Sequence, residues 1–240
     1  MATIERDARR APVVLLHEGL GSLAMWRDFP ARLADATGRT AIVYSRYGYG
    51  ESDVFEEPRD VEYMHHEGRV VLPALLDALG VREPILFGHS DGASIALIAA
   101  AAHPRIARAL VLEAPHVFVE DLTVASIARV REAYAATDLR DKLARYHRDP
   151  DATFRGWNDI WLDPRFRDWN ITGVLENVRV PVLVLQGEDD EYGTRAQLDA
   201  IAKRAGDTTV TVLDRCGHSP HRDRADAVLA ATSRFLADLP

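Results

Sequence analysis

Basic residues are in the minority: 29 lysines and arginines stand against 37 aspartates and glutamates, a net charge of −8. Phosphate binding needs a basic surface, so nucleic acid is not an expected partner. Cysteine is scarcer still. The single Cys216 excludes an internal disulfide and has no cysteine companions for a zinc site, which agrees with a reducing compartment and a structural role. Nothing approaches the roughly 18 consecutive apolar residues of a membrane span. The charged stretch 1–10 lacks the apolar segment of a signal peptide. Together these absences predict a cytoplasmic protein with no membrane partner. Repeats and low-complexity tracts are absent too. What remains is ordinary globular composition, 47% hydrophobic and 28% charged, and 240 residues is a common size for a single α/β domain.

The chain is organised around Leu86–Phe87–Gly88–His89–Ser90–Asp91–Gly92–Ala93–Ser94. The apolar run 85–87 reads as a buried strand and the residues after Gly92 as a helix, so Ser90 falls on the turn between them. In that context G-x-S-x-G has a mechanism. Gly88 and Gly92 remove side chains where strand and helix nearly collide, leaving a nucleophile on a strained corner at a helix N-terminus, where negative charge is favoured.

Alternating elements surround this turn. An edge strand is expected near 3–5 and a buried strand over 12–16, ending in a loop with Gly19 and Gly21. Trp26, Phe29, Leu33 and Ala36 recur at helical spacing, with Gly38 as the stop. A strand over 40–44 follows, then a loop rich in tyrosine and glycine, then a helical stretch over 60–80 that Pro73 is expected to kink. The helix after Ser90 is apolar nearly all round, hence buried. A strand over 107–112 completes a strand–helix–strand unit of a parallel sheet. From 116 to 177 only helical patterns occur, with Phe154, Trp157, Trp161, Phe166 and Trp169 close together. The alternation resumes with strands over 180–185 and 208–213, a helix over 194–204 and a closing helix. The expected organisation is a core of residues 1–115 and 178–240 with a helical cap, 116–177, inserted between them.

Chemistry in an open parallel sheet gathers at the carboxyl ends of the strands. Four loops leaving such ends carry suggestive residues: 17–21, Ser90, the acidic cluster 188–191 and His218. Serine needs a base, and the base needs a carboxylate to hold its tautomer. The acidic cluster lacks companion ligands at a recognised metal spacing, so no metal is expected. His17 fits a loop-bridging role, while His65, His66, His103, His116, His147 and His221 are expected at solvated positions.

The order Ser90, Asp190, His218 and the turn around Ser90 resemble the α/β-hydrolase superfamily over nearly the whole chain. The resemblance implies an α/β fold, a mostly parallel sheet with helices on both faces and a helical cap. It maps the family's acid, in a pattern like G-x-x-D, onto Gly187–Asp190, with Asp190 favoured over Asp189, and its histidine onto Gly217–His218. It implies an oxyanion hole from the backbone N–H groups of Gly19 and Asp91. Glu18 departs from the family's H-G-x loop, and an arginine such as Arg46 is the expected partner for its carboxylate. The loop 17–22 with Trp26 looks most like small cofactor-free hydrolases and the related synthase of menaquinone biosynthesis, so no cofactor is expected.

The implied activity is hydrolysis of an ester or ester-like acyl bond of a small molecule through an acyl-enzyme. Thioesters, lactones and the carbon–carbon bonds of aromatic ring-cleavage products are the alternatives, along with a ligand receptor on the same scaffold. Glu18, Trp157 and Trp161 are candidate substrate contacts, the two tryptophans because a spacing of four puts them on one helix face. Substrate identity and oligomeric state are not legible at this level.

Overall fold

The computed structural model describes residues 1–239. Strand β1 (Ala2–Ile4) leads to β2 (Val13–Leu16), α1 (Phe29–Thr37) and β3 (Ala41–Val43). A broken helix follows, α2 (Tyr63–His66) and α3 (Leu72–Ala78), then β4 (Ile85–His89), α4 (Asp91–Ala102) and β5 (Ala109–Glu113). Helices α5 (Asp121–Ala136), α6 (Leu139–Leu143) and α7 (Pro150–Trp161) separate β5 from β6 (Val182–Gly187). The chain closes with α8 (Arg195–Arg204), β7 (Thr208–Leu213), α9 (Pro220–Asp223) and α10 (Ala225–Phe235).

The described residues form one seven-stranded sheet in the order β1-β3-β2-β4-β5-β6-β7. β1 runs antiparallel to β3, and every other pairing is parallel. β4 lies centrally, Leu86 opposite Val14 on one side and Leu110 on the other. Because side chains alternate across a strand, each apolar strand feeds two cores. Val14, Leu86, Leu112 and Val184 pack toward α4 and α8, while Leu15, Phe87, Val111 and Leu185 pack toward α1 and α10. Helix α4 is buried nearly throughout, as its apolar sequence requires; full burial of side chains such as Ile95 and Leu97 contributes roughly 1.5–3 kcal/mol each.

Two local expectations need correction. Helix α1 begins at Phe29, with Pro30 in its first turn, a position proline favours. Trp26 therefore sits in the preceding 3-10 turn Leu23–Trp26, and Ala36 is exposed while Ala34 and Thr37 are buried. The stretch 60–80 is interrupted rather than simply kinked. A π-helical turn, Glu67–Val71, separates α2 from α3 just before Pro73. Proline has no N–H to give the Arg69 carbonyl, and His103 Nε2–H donates to it instead at 2.9 Å.

Between β5 and β6 the described residues hold helices, two 3-10 turns and one isolated bridge, Phe118 with Asn170. Asp149 starts α7 by accepting from the Ala152 N–H at 2.9 Å, with Pro150 at the first helical position. Among the described residues no helix is long and apolar enough to cross a membrane.

Candidate active site

Ser90 sits on the corner between β4 and α4 with φ 52° and ψ −117°, in the left-handed half of backbone space that non-glycine residues rarely occupy. Such a conformation costs about 1–3 kcal/mol and persists where the surroundings enforce it. Here the close approach of strand and helix does so. A Cβ on Gly88 would come within 2.5 Å of the Gly92 carbonyl oxygen, and one on Gly92 within 2.1 Å of the Leu16 carbonyl oxygen. The Ser90 N–H donates to the Glu113 carbonyl at 2.9 Å, tying the corner to β5.

Around the corner three side chains from distant parts of the chain form one hydrogen-bonded line. Ser90 Oγ is 3.0 Å from His218 Nε2, and His218 Nδ1 is 2.8 Å from Asp190 Oδ1. Since a carboxylate only accepts, the proton belongs on Nδ1 and Nε2 is left to accept from the serine hydroxyl. Asp190 Oδ1 also accepts from the N–H groups of Tyr192 and Gly193, at 2.9 and 3.2 Å. Burial works against its charge, yet His218 and the Tyr192 N–H outweigh burial and hold the carboxyl below the usual carboxylate range. Asp189 is exposed, and its N–H donates to the Cys216 carbonyl. Cys216 is buried without a disulfide, its thiol pushed up to about 12 chiefly by burial.

A cavity of about 220 Å³ opens beside Ser90. Gly19 and Asp91 both line it, and neither backbone N–H donates to another group among the described residues. Two such donors beside a serine oxygen suit an oxyanion. Trp157 and Trp161, four apart on α7, both line the cavity, whereas Phe154, Phe166 and Trp169 are not in its wall. Phe166 stacks on Trp169 with ring centres 5.4 Å apart.

A model of the Alpha/beta hydrolase family matches residues 13–231. The chain belongs to this family. Over 95% of its length the hydrolase is 23% identical to a proline iminopeptidase of Lactobacillus helveticus, covering 90% of that protein. It is 24% identical to a 2-hydroxy-6-oxononadienedioate/2-hydroxy-6-oxononatrienedioate hydrolase of Comamonas testosteroni, with 94% of this chain and 87% of that one covered. Among solved structures, an esterase from Exiguobacterium antarcticum superposes with a TM-score of 0.78 at 18% identity, covering 99% of this chain and 94% of that one.

Several polar residues of the hydrolase take partners that the sequence reading did not assign. Glu18 does not pair with the Arg46 side chain. Its carboxylate faces His89 Nδ1 at 3.4 Å, and Arg46 Nη2 donates instead to the Glu18 and His17 carbonyls, at 3.0 and 3.2 Å. His17 bridges loops as expected: Nδ1–H donates to the Glu18 carbonyl at 2.8 Å, and Nε2 accepts from the Arg46 N–H at 3.0 Å. Burial first, then the nearby Arg46 charge, keeps it neutral. Asp91 is fixed through Oδ2 by the Tyr63 hydroxyl at 2.8 Å, while Oδ1 has no partner among the described residues.

Three of the histidines expected at the surface are buried: His116, His147 and His221. His147 accepts from the Gly50 N–H at 2.9 Å and donates to the Leu20 carbonyl at 3.0 Å. His221 Nδ1 lies 2.7 Å from Glu113 Oε2. His116 lines the cavity with its ring 5.2 Å from that of Trp161. Burial, reinforced by His218, pushes it down to about 4. No local pattern marked these positions; the signal available was only that His116 lies just beyond the end of β5 and His221 in the segment between β7 and the closing helix.

Proposed function

We propose that this hydrolase cleaves an ester or ester-like acyl bond of a small molecule through an acyl-enzyme on Ser90. The observation that carries the reading is the continuous hydrogen-bonded line from Ser90 Oγ through His218 to Asp190, with distances of 3.0 and 2.8 Å, at the mouth of a small, partly aromatic cavity. His218 Nε2 takes the Ser90 proton as Oγ attacks the acyl carbon, and the Gly19 and Asp91 N–H groups hold the resulting oxyanion. As the ester C–O bond breaks, His218 gives that proton to the leaving oxygen. It then takes a proton from water, whose oxygen attacks the acyl carbon. Ser90 departs and recovers its proton from His218.

Asp190 fixes the imidazole tautomer and stabilises the cation that forms in each half-reaction. The cavity walls offer Glu18, Asp91 and Glu191 but no lysine or arginine among the described residues. A second reading follows from that wall and from the unpartnered Asp91 Oδ1: esters bearing an ammonium group near the acyl carbon are the preferred class. The deciding experiment is a panel of short p-nitrophenyl esters, thioesters and lactones, followed by mass spectrometry of the peptide carrying Ser90. Turnover of the esters with a trapped acyl mass on Ser90 supports the proposal. Turnover without any acyl intermediate, or none of the panel turned over, rejects it.

A further inference from the structure

Behind the hydrogen-bonded line lies a buried histidine that the acyl-transfer chemistry does not use. His89 is 1% exposed and is the last residue of β4, directly before Ser90. Both of its ring nitrogens face acceptors. Nε2 is 2.7 Å from the main-chain carbonyl oxygen of His218, and Nδ1 is 3.4 Å from Glu18 Oε2. A carbonyl oxygen cannot donate, so Nε2 carries a proton. A carboxylate cannot donate either, so the contact at Nδ1 is attractive only if Nδ1 carries one as well. The imidazolium is the single form of His89 that satisfies both neighbours while Glu18 is ionised.

We propose that Glu18 and His89 form a charge-neutral clamp in which His89, as a doubly protonated positioning residue, holds the main chain of His218, and that loss of its proton sets an alkaline limit to catalysis. The clamp rests on the reading of His218 as the base for Ser90. It joins three separate segments: the loop after β2, the end of β4 and the loop after β7. It also resolves the position of Glu18, whose neighbour Gly19 supplies an oxyanion donor. An unpaired carboxylate there would oppose the negative charge that develops on the substrate oxygen, and a buried cation on His89 alone would be costly to desolvate. Paired, each removes the other's penalty.

The groups around His89 favour its charge. Glu18 faces it from the loop after β2 and Glu113 from the end of β5. From α9 the His221 ring lies edge-on at 4.9 Å, its Nδ1 bound to Glu113 Oε2. The His218 ring lies at 5.2 Å, and the uncharged Trp26 indole at 6.3 Å. His17, near Glu18, is kept neutral by its own burial and by Arg46. Burial alone would discharge His89, but Glu18, Glu113 and the His218 carbonyl reverse that and raise it to about 9. Burial also opposes the charge on Glu18, and the contact with His89 overrides it to hold the carboxyl well below its usual range. Above about 9 neutral His89 has one proton to offer: it releases either the His218 carbonyl or Glu18.

The test uses histidine-labelled full-length protein. Ring ¹⁵N spectra, with the His89 signal assigned from a His89→Gln variant, are recorded across pH alongside kcat/KM for p-nitrophenyl acetate. The expected result is a doubly protonated His89 at pH 7 that titrates at about 9, together with an alkaline fall in kcat/KM at the same pH. In Glu18→Gln both the titration and the fall move down by about one pH unit or more, as expected for loss of a close charge partner. In His89→Gln that alkaline fall is absent. A neutral His89 in the wild type at pH 7, or an alkaline fall that stays in place in both variants, overturns the clamp. If the ester is not turned over at all, the spectra alone decide the charge of His89, and the failure belongs to the hydrolase reading.

Discussion

Trp157 lies across Gly19, so close that a Cβ on Gly19 would come within 2.2 Å of the indole Cδ1 and Nε1. The indole therefore rests directly on the backbone proposed to supply one oxyanion donor and forms part of the wall facing Ser90. Gly19→Ala is expected to displace the ring and lower kcat/KM for small esters. Trp157→Ala is expected to open the cavity, raising the ratio of kcat/KM for hexanoate to acetate esters by ~10-fold or more, the scale of one or two methylenes in an apolar pocket. Its folded state should also lose ~3–5 kcal/mol through the cavity left behind. The chain-length series on purified variants measures the first effect and urea unfolding the second. An unchanged length preference would remove Trp157 from the acyl pocket.

Ser90→Ala is expected to abolish ester turnover, by about 10⁴-fold or more, with the fold intact. The hydroxyl contributes a single side-chain hydrogen bond, to His218, and its deletion fills no space. Steady-state kinetics with circular dichroism of the same sample checks both halves.

Asp190→Asn is expected to be far more damaging than Asp189→Asn, on the order of 10³-fold or more, since an amide facing His218 Nδ1 can hold the wrong tautomer. Asp189 is exposed and makes no side-chain hydrogen bond to His218. Comparable losses in the two variants would detach the acid's role from its contact with His218.

Stability should fall on the acid side of neutrality before the carboxylates titrate. His116 in the folded state takes up a proton only at about 4, whereas in the unfolded chain it does so at about 6.5. Between those values the unfolded chain binds the extra proton. The stability is therefore present above about 6.5 and lost as pH falls toward 4. His17 and His147, lowered chiefly by burial, act in the same direction. His116 alone would account for up to about 3 kcal/mol. Urea midpoints at pH 7 and 4.5 should differ clearly in the wild type and less in His116→Gln.

The proposed preference for an ammonium-bearing ester is expected to depend on Asp91. The ratio of kcat/KM for an alanine ester to the matching isobutyrate ester is expected to exceed one in the wild type and to fall toward one in Asp91→Asn. A wild-type ratio near or below one would leave Asp91 with only its helix N-terminal position and its bond to Tyr63.

The strand, elbow and helix around Ser90 were readable from the chain because every cause is local. An apolar run fixes the strand, an all-apolar segment buries α4, and two glycines permit the close approach. The order Ser90, Asp190, His218, beyond the ends of β4, β6 and β7, was likewise written along the sequence, and the parallel sheet brought those ends together. Pro73 announced a kink, but the π turn that interrupts the helix and its rescue by His103 needed a partner 34 positions away.

Only the tertiary structure chose the partners of Glu18, His89, His116 and His221. His89 meets Glu18 across 71 positions and the His218 carbonyl across 129. Periodicity and turn chemistry act over a few residues, so they report which face a side chain presents to its own element. They carry no record of which loop the sheet order will set against it. For a buried ionisable group that neighbour decides whether it is neutral or charged. The sequence could thus place Ser90 on its elbow, while the packing of strand ends decided that Glu18 would face a histidine rather than an arginine.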